Sequence, residues 1–225
     1  MKRGVLLIVL AAVSVTIGVG FVALGDRPQW TSASPAALVE FEAAMDALDM
    51  LYMEEAVARL EAALELDPEF GRSYARLAVT WVYYGNYQLA PANEAYAEVE
   101  RLANKAIELD GELFEAYWAL GWADLAGKYA WQAAEENFRK TIDLAPGEWG
   151  GYHSLGYVLG AVGRIEEALE AARIAIEVDP LAYLPRHGME VLLTRQRNYD
   201  ASIEVLKEQA EILKLFSLCN IEINH

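Results

Sequence analysis

Thiols and imidazoles are scarce in this chain. Among its 225 residues there is one cysteine, Cys219, and there are three histidines, His153, His187 and His225. One cysteine cannot form an internal disulfide or a thiolate zinc cluster, and the histidines are far apart in sequence. We therefore expect no metal site and no cofactor, and we interpret the histidines as ordinary surface or packing residues.

Basic residues are also few. The chain has 18 lysines and arginines against 34 acidic residues, which gives a formal net charge of -16. An acidic surface repels phosphate backbones, so we expect no nucleic-acid ligand. Hydrophobic residues make up 55% of the chain and charged residues 23%, a composition typical of a folded protein with a sizeable core.

Motifs that carry catalysis are missing from the sequence. It contains no glycine-rich phosphate loop, no H-E-x-x-H or C-x-x-C spacing and no G-x-S-x-G elbow. Its carboxylates lie at solvent-facing spacing on amphipathic segments, where nothing separates the pKa values of a pair for acid–base work. The sequence therefore predicts a protein that is not an enzyme.

A long apolar segment lies near the start of the chain. No charged residue occurs from Gly4 to Gly25, and a helix of that length measures roughly 33 Å, enough to cross a bilayer core. Two interpretations stay open for residues 1–25. They form either an uncleaved signal anchor or a signal peptide cleaved after the small residues Ala23 and Gly25.

Charge predicts the orientation of this segment. Lys2 and Arg3 precede it, whereas Asp26 and Arg27 cancel each other after it. The positive-inside rule then places the N-terminus in the cytoplasm and the rest of the chain outside it, in the periplasm if the source is bacterial. Cleavage near Gly25 would instead give a secreted or periplasmic protein. Residues 26–36, rich in Pro, Ser and Thr, are predicted to be a linker.

The remaining chain repeats itself. Four similar segments mark helix ends, namely LELDP at Pro68, IELDG at Gly111, IDLAP at Pro146 and IEVDP at Pro180, and the later ones recur at about 34 residues. Small or apolar residues at helical spacing precede them: Ala134 and Phe138 before Pro146, and Ala168 and Ala175 before Pro180. Each segment therefore ends an amphipathic helix.

A second signature precedes each of these helices. It is an aromatic residue, a leucine and a small residue, and it occurs as Tyr74-x-x-Leu77-Ala78, Tyr117-x-x-Leu120-Gly121 and Tyr152-x-x-Leu155-Gly156. The three residues share one stripe of a first helix, and the small residue lets a second helix approach closely. We expect the first helices to be buried along this stripe and Gly85 and Gly163 to break the chain between the two helices.

These units resemble the tetratricopeptide (TPR) repeat, whose pattern is W-x2-L-G-x2-Y, then A-x3-F, then P. The resemblance covers residues 37–210 and implies an all-α superhelix of about five helical hairpins. The order of its segments also resembles the TPR regions of bacterial membrane-anchored signalling proteins. Two departures stand out. The second unit carries an insertion, NYQLAPANEAYAEVE, and residues 211–225 form a divergent tail that is either a cap or an unnatural boundary.

The resemblance also indicates where a partner would bind, because first helices line the concave side of such a superhelix. One step round from the buried stripe lie the candidate groove residues: Tyr83, Trp118, Trp122, His153 and Tyr157. Aromatic side chains make good interface anchors. The competing interpretation is that the tryptophans simply pack in the core.

The functional hypothesis is a non-catalytic, membrane-tethered scaffold that binds a protein or peptide segment in its groove. An alternative is a sensory or regulatory module that binds a small ligand or relays a signal in a membrane signalling system. Self-association through the terminal repeat is a further hypothesis. TPR repeats specify a shape, so the sequence does not name the partner.

Overall fold

The computed structural model describes residues 32–223, with side chains for 32–214. These residues form ten α-helices and one π-helical turn. The helices are α1 (Pro35–Asp49), α2 (Met53–Leu66), α3 (Gly71–Asn86), α4 (Ala92–Leu109), α5 (Phe114–Trp122), α6 (Trp131–Leu144), α7 (Trp149–Ala161), α8 (Ile165–Val178), α9 (Tyr183–Arg195) and α10 (Tyr199–Ile223), and the π turn is Ala123–Gly127. The described part of the chain contains no strand, so this part is all-α.

No helix among residues 32–223 is both long enough and apolar enough to cross a membrane. The apolar segment 4–25 lies outside the described residues, as do most of the linker 26–36 and His225. The membrane prediction therefore stays a prediction.

Consecutive helices pack together as five hairpins: α1 with α2, α3 with α4, α5 with α6, α7 with α8, and α9 with α10. The described residues divide into two compact units. The N-terminal unit, residues 32–146, contains the first three hairpins, and the C-terminal unit, residues 147–223, contains the other two. A helical hairpin cannot bury its apolar stripe alone, so stacked neighbours complete the core within each unit.

The turn inside each hairpin contains a residue in the left-handed region of backbone space. These residues are Leu51, Gln88, Tyr129, Gly163 and Arg197, with φ values of 60°, 57°, 55°, 86° and 59°. Gly163 breaks the helix as expected. Gly85 does not, because it lies inside α3; a Cβ there would be 3.0 Å from Tyr96 Cζ, so this glycine serves close packing.

The turns between hairpins share an aspartate. The carboxylates of Asp67, Asp110 and Asp179 accept hydrogen bonds from the backbone N–H two residues further on, at 3.1, 2.9 and 2.9 Å. This local bond competes with helical bonding and ends the helix, which explains the LELDP, IELDG and IEVDP segments. Ala145 replaces the aspartate in the third hairpin, and Pro146 and Pro180 lie exposed in these turns.

Asp67 has an additional role at the start of the fold. Its carboxylate accepts hydrogen bonds from the Ser32 hydroxyl and from the Ala33 N–H, the latter at 3.1 Å. The Ser32 hydrogen bond is the main reason why the pKa of Asp67 is below its ordinary value. Ser34 then caps α1, which begins at Pro35, two residues before the start of the solenoid predicted from sequence.

The signature residues differ in how deeply they lie in the core. Fully or nearly buried are Leu77, Ala78, Gly121, Ala134, Phe138, Leu155, Gly156, Ala168 and Ala175. Tyr74, Tyr117, Leu120 and Tyr152 are half-buried. The Tyr117 hydroxyl donates a hydrogen bond to the Gly111 carbonyl at 3.2 Å, so this tyrosine covers the stripe with its ring and keeps its hydroxyl near solvent.

The insertion lengthens both the turn and the second helix of its hairpin. Helix α4 has 18 residues, whereas α2, α6 and α8 have 14 each. Tyr96, which belongs to the inserted segment, lies between two glycines in the fold. A Cβ on Gly127 would be 2.9 Å from Tyr96 Cβ, and one on Gly85 would be 3.0 Å from the ring. The tyrosine hydroxyl donates to Asn86 Oδ1 at 2.6 Å.

Helix α10 runs without a break through the boundary predicted at residue 210. It begins at Tyr199, directly after the turn at Arg197, and it packs against α9.

The left-handed turn residues generate a stability prediction. Arg197→Gly removes the strain of a Cβ at φ 59° and should raise the free energy of unfolding by about 0.5–1 kcal/mol. Gly163→Ala should lower it by about 1 kcal/mol for the opposite reason. Urea midpoints followed by circular dichroism on the full chain measure both. Arg197→Ala is the matched control, since it removes the side chain and keeps the Cβ; an equal gain in that variant would contradict the backbone explanation.

A second prediction concerns close packing at Gly121. A Cβ there would lie 2.4 Å from the Phe138 ring, so Gly121→Ala should destabilise the N-terminal unit by about 1–3 kcal/mol. The double variant Gly121→Ala/Phe138→Leu should recover part of that loss, because the smaller side chain vacates the space. Gly147→Ala, where nothing lies within 4 Å, is the control. Additive losses in the double variant would show that the two residues do not compete for space.

Candidate functional site

Aromatic side chains from α3, from its C-cap residue and from α5 form a continuous row in the N-terminal unit. Ring centroids are 6.2 Å apart for Tyr87 and Tyr83, 6.1 Å for Tyr83 and Trp118, and 6.0 Å for Trp118 and Trp122. We call these four residues the aromatic strip. Tyr83 and Trp118 lie on different hairpins, so stacking of the hairpins brings the row together.

Both tryptophans of the strip also contribute to the core. Trp118 and Trp122 are half-buried and pack against the buried cluster of this unit, and the Trp122 ring meets Phe138 edge to face at 6.0 Å. A large ring can bury one face and still offer the other, so the core and groove interpretations of these residues are compatible. Whether a partner uses them stays a prediction.

A charged cluster lies on the same two helices. Glu115 on α5 is only 3% exposed, and its Oε1 lies 3.3 Å from Arg76 Nη2 and 3.6 Å from Arg72 Nη1, both on α3. Among the described residues neither carboxylate oxygen accepts a hydrogen bond. The two arginines outnumber the carboxylate, so this cluster has a net positive charge in an acidic chain.

Helical spacing places this cluster beside the aromatic strip. Glu115 precedes Trp118 by one turn of α5, and Arg76 precedes Tyr83 by two turns of α3. Sequence reasoning missed the cluster. A signal was available in the sequence. Arg72 and Arg76 are four residues apart on a first helix, so they share a face just before Tyr83, and basic residues are few in this chain.

The π turn directly follows Trp122 and is fixed by polar contacts. Asp124 accepts a hydrogen bond from Asn137 Nδ2 at 2.9 Å and pairs with Lys128 at 3.3 Å, while Lys128 also reaches Glu100 at 2.9 Å. π turns are frequent at functional sites. The turn also lets α5 approach the lengthened α4, because Gly127, which has no side chain, leaves space for Tyr96.

The other two predicted groove residues belong to the C-terminal unit. His153 is half-buried on α7, with its ring 5.9 Å from Trp149, and Tyr157, one turn later, is 56% exposed. Burial lowers the pKa of His153 to about 4, and the charge of His187 lowers it further. His153 is therefore neutral near pH 7.

The five residues predicted for one groove are thus divided between two units, three in the first and two in the second. Within the first unit, the Trp118 ring contacts both the Tyr83 ring and the Trp122 ring. Within the second, Trp149 joins His153, a neighbour that the sequence analysis did not single out. The described residues contain no cluster of three or more His, Cys, Asp or Glu side chains that could hold a metal ion.

His153 generates a pH prediction. Its folded-state pKa of about 4 lies below the ordinary value of 6.5, so the unfolded chain binds the proton more readily between those pH values. Stability is full above about pH 6.5 and falls as the pH drops towards 4, by up to about 3 kcal/mol. His153→Gln should lose this part of the pH dependence in urea unfolding at pH 7.5 and 4.5. His187→Gln should keep most of it; identical slopes in wild type and His153→Gln would contradict the prediction.

Comparison with known proteins rests on structure. No protein-family model matches the sequence, and no curated protein matches it either. Solved structures do match. TTC0263, a thermophilic TPR protein of Thermus thermophilus, is 14% identical, with 83% of this chain and 99% of that chain covered and a TM-score of 0.67.

Two further structures give a similar result. MamA from Desulfovibrio magneticus RS-1 is 16% identical, over 81% of this chain and 98% of that chain, with a TM-score of 0.58. YrrB, described as a TPR protein with an unusual peptide-binding site, is 20% identical, over 83% of this chain and 92% of that chain, with a TM-score of 0.50. At these identities the likeness is one of fold. With five helical hairpins among residues 32–223, this chain has the fold of the tetratricopeptide repeat proteins.

Proposed function

We propose that this protein is a non-catalytic interaction scaffold that binds a peptide segment of a partner protein along the aromatic strip. The observation that carries the proposal is the row of ring contacts from Tyr87 through Tyr83 and Trp118 to Trp122, which is built by two hairpins. Rigid aromatic side chains supply much contact area at little entropy cost, as interface anchors do.

The charged cluster supports a particular kind of segment. Side chains of Arg72 and Arg76 are 29% and 19% exposed, whereas Glu115 is buried. Guanidinium groups carry five donors each, more than one carboxylate can use. A segment that offers apolar side chains to the strip and a carboxylate to the arginines would complement both features. Peptide binding by the structurally similar YrrB is consistent with such a role for this fold.

The proposed setting is a membrane surface. We infer that residues 4–25 anchor the chain and that the repeats lie on the extracytoplasmic side, because of the uncharged run and of Lys2 and Arg3 before it. Cleavage near Gly25 would release the same domain into that compartment. Retention of the full chain in membranes after alkaline extraction supports the anchor, and release supports cleavage.

The experiment is selection of binders from a random peptide display library on the full chain in detergent. We expect peptides with aromatic or aliphatic residues next to an acidic one, and a Trp118→Ala variant should bind them at least about tenfold more weakly. The pair Tyr129→Ala/Trp131→Ala is the matched control. These two rings also contact each other and are exposed, but they lie outside the strip.

The arginine contribution is tested separately. Arg72→Gln leaves Arg76 beside Glu115 and should weaken binding of a selected acidic peptide, but not of the same peptide with Gln in place of the acidic residue.

Equal binding to Trp118→Ala, confirmed as helical by circular dichroism, would place the site elsewhere. A failure to select any peptide, together with specific binding of a small ligand, would favour the sensory-module alternative.

A further inference from the structure

One face of helix α10 packs on its own unit, and a neighbouring apolar face does not. Ser202 and Gln209 are buried, and the Ser202 hydroxyl lies 3.0 Å from the Thr194 hydroxyl on α9. The face next to these residues is open. Its large apolar residues are Tyr199, Ile203, Leu206 and Leu213, which are 57%, 48%, 46% and 45% exposed.

The spacing of the open face is that of a helix–helix seam. Tyr199, Ile203, Leu206, Ala210 and Leu213 follow one another in alternating steps of four and three residues. This is the heptad pattern of positions a and d, which keeps an apolar stripe facing a second helix over several turns. A merely solvated face has no reason to keep this alternation through two heptads, so the spacing points to a helix as the occupant.

The two flanks of the seam differ in burial. One flank carries Ser202 and Gln209 and is covered, whereas the other carries Asp200, Lys207 and Lys214, all exposed. In heptad notation the covered residues Ser202 and Gln209 occupy position g, and the exposed flank occupies position e. In a parallel pair, position e of one helix faces position g of the other, so an exposed flank would meet a covered one. In an antiparallel pair like flank meets like flank. An antiparallel pair therefore places the two exposed flanks against each other, and the charges on these flanks favour this direction.

The charges on the open flank are self-complementary in that arrangement. Asp200 and Lys214 lie on either side of Lys207, one heptad away from it in each direction. An antiparallel two-fold pair places Asp200 of one copy opposite Lys214 of the other, and it does so twice. Lys207 then lies near Lys207 of the second copy, close to the two-fold axis. In each copy Lys207 pairs with Glu204 at 2.7 Å, which offsets the repulsion between the two lysines.

We propose that the protein forms a two-fold dimer in which α10 pairs antiparallel with α10 of a second copy along Tyr199, Ile203, Leu206, Ala210 and Leu213. The proposal is independent of the aromatic strip, which belongs to the other unit. A dimer carries two strips, so a partner with two binding segments gains avidity from it without any new contact.

Cysteine cross-linking of the full chain in detergent tests the arrangement. In a Cys219→Ser background, Asp200→Cys and Lys214→Cys proteins should form a disulfide-linked dimer when mixed under mild oxidation. Neither should cross-link efficiently alone, because the two positions of one kind are far apart in an antiparallel pair. Efficient cross-linking of each variant with itself would mean a parallel pair, and no preference would mean that α10 is not the interface; either result overturns the proposal.

Sedimentation equilibrium tests the energetics. Leu206→Asp, an exposed position whose change should leave the helix content intact, is expected to weaken the dimer at least about a hundredfold in Kd. Lys214→Asp should weaken it about tenfold, and Asp200→Lys/Lys214→Asp should restore it, since the charges complement each other again. Leu181→Asp, another exposed leucine in the same unit, is the matched control. A monomeric wild type would overturn the proposal. Association that Leu206→Asp leaves unchanged would also overturn it, and would assign the association to another segment.

Discussion

Close approach of paired helices is the constraint on which the rest of this structure depends. A hairpin of two amphipathic helices buries its stripe only if small residues stand where the helices meet. Gly121 leaves space for the Phe138 ring, and Gly156 leaves space for the Ala168 carbonyl, which would lie 3.2 Å from a Cβ at that position. Because protein cores are packed at crystal-like density, one methyl group at such a point is felt by both helices.

The candidate site is a consequence of this packing. Since the stripe of small residues occupies the contact between paired helices, larger residues one step round the first helices are left half-buried. Tyr83 and Trp118 meet there because neighbouring hairpins stack. The same stacking brings Arg72 and Arg76 to Glu115. A buried carboxylate between two arginines is costly to break, so it also favours one arrangement of these two hairpins over others.

Helix α10 carries an apolar stripe beside the face that packs on its neighbour. Its inner face is used by α9, and the residues of its outer face remain 45–57% exposed. Exposed apolar residues are common singly, but a regular stripe of them on one helix is a feature of interaction surfaces. The solenoid principle, by which each unit is completed by a neighbour, therefore suggests completion by a second copy at this helix.

The sequence by itself determined the repeat: the all-α fold, the hairpin as the unit, the four helix-ending segments and the small residues at the helix contacts. These are local or periodic properties, and helical geometry converts spacing directly into a shared face. Gly85 shows where that reasoning stops, because a glycine in the sequence marks a turn and a close contact equally well, and only the position of Tyr96 decides between them. The tertiary structure likewise decided three other features: the Glu115 cluster, the burial of His153 and the covered flank of α10. Each depends on which residues of a different helix lie opposite, and that is fixed by packing between elements distant in sequence.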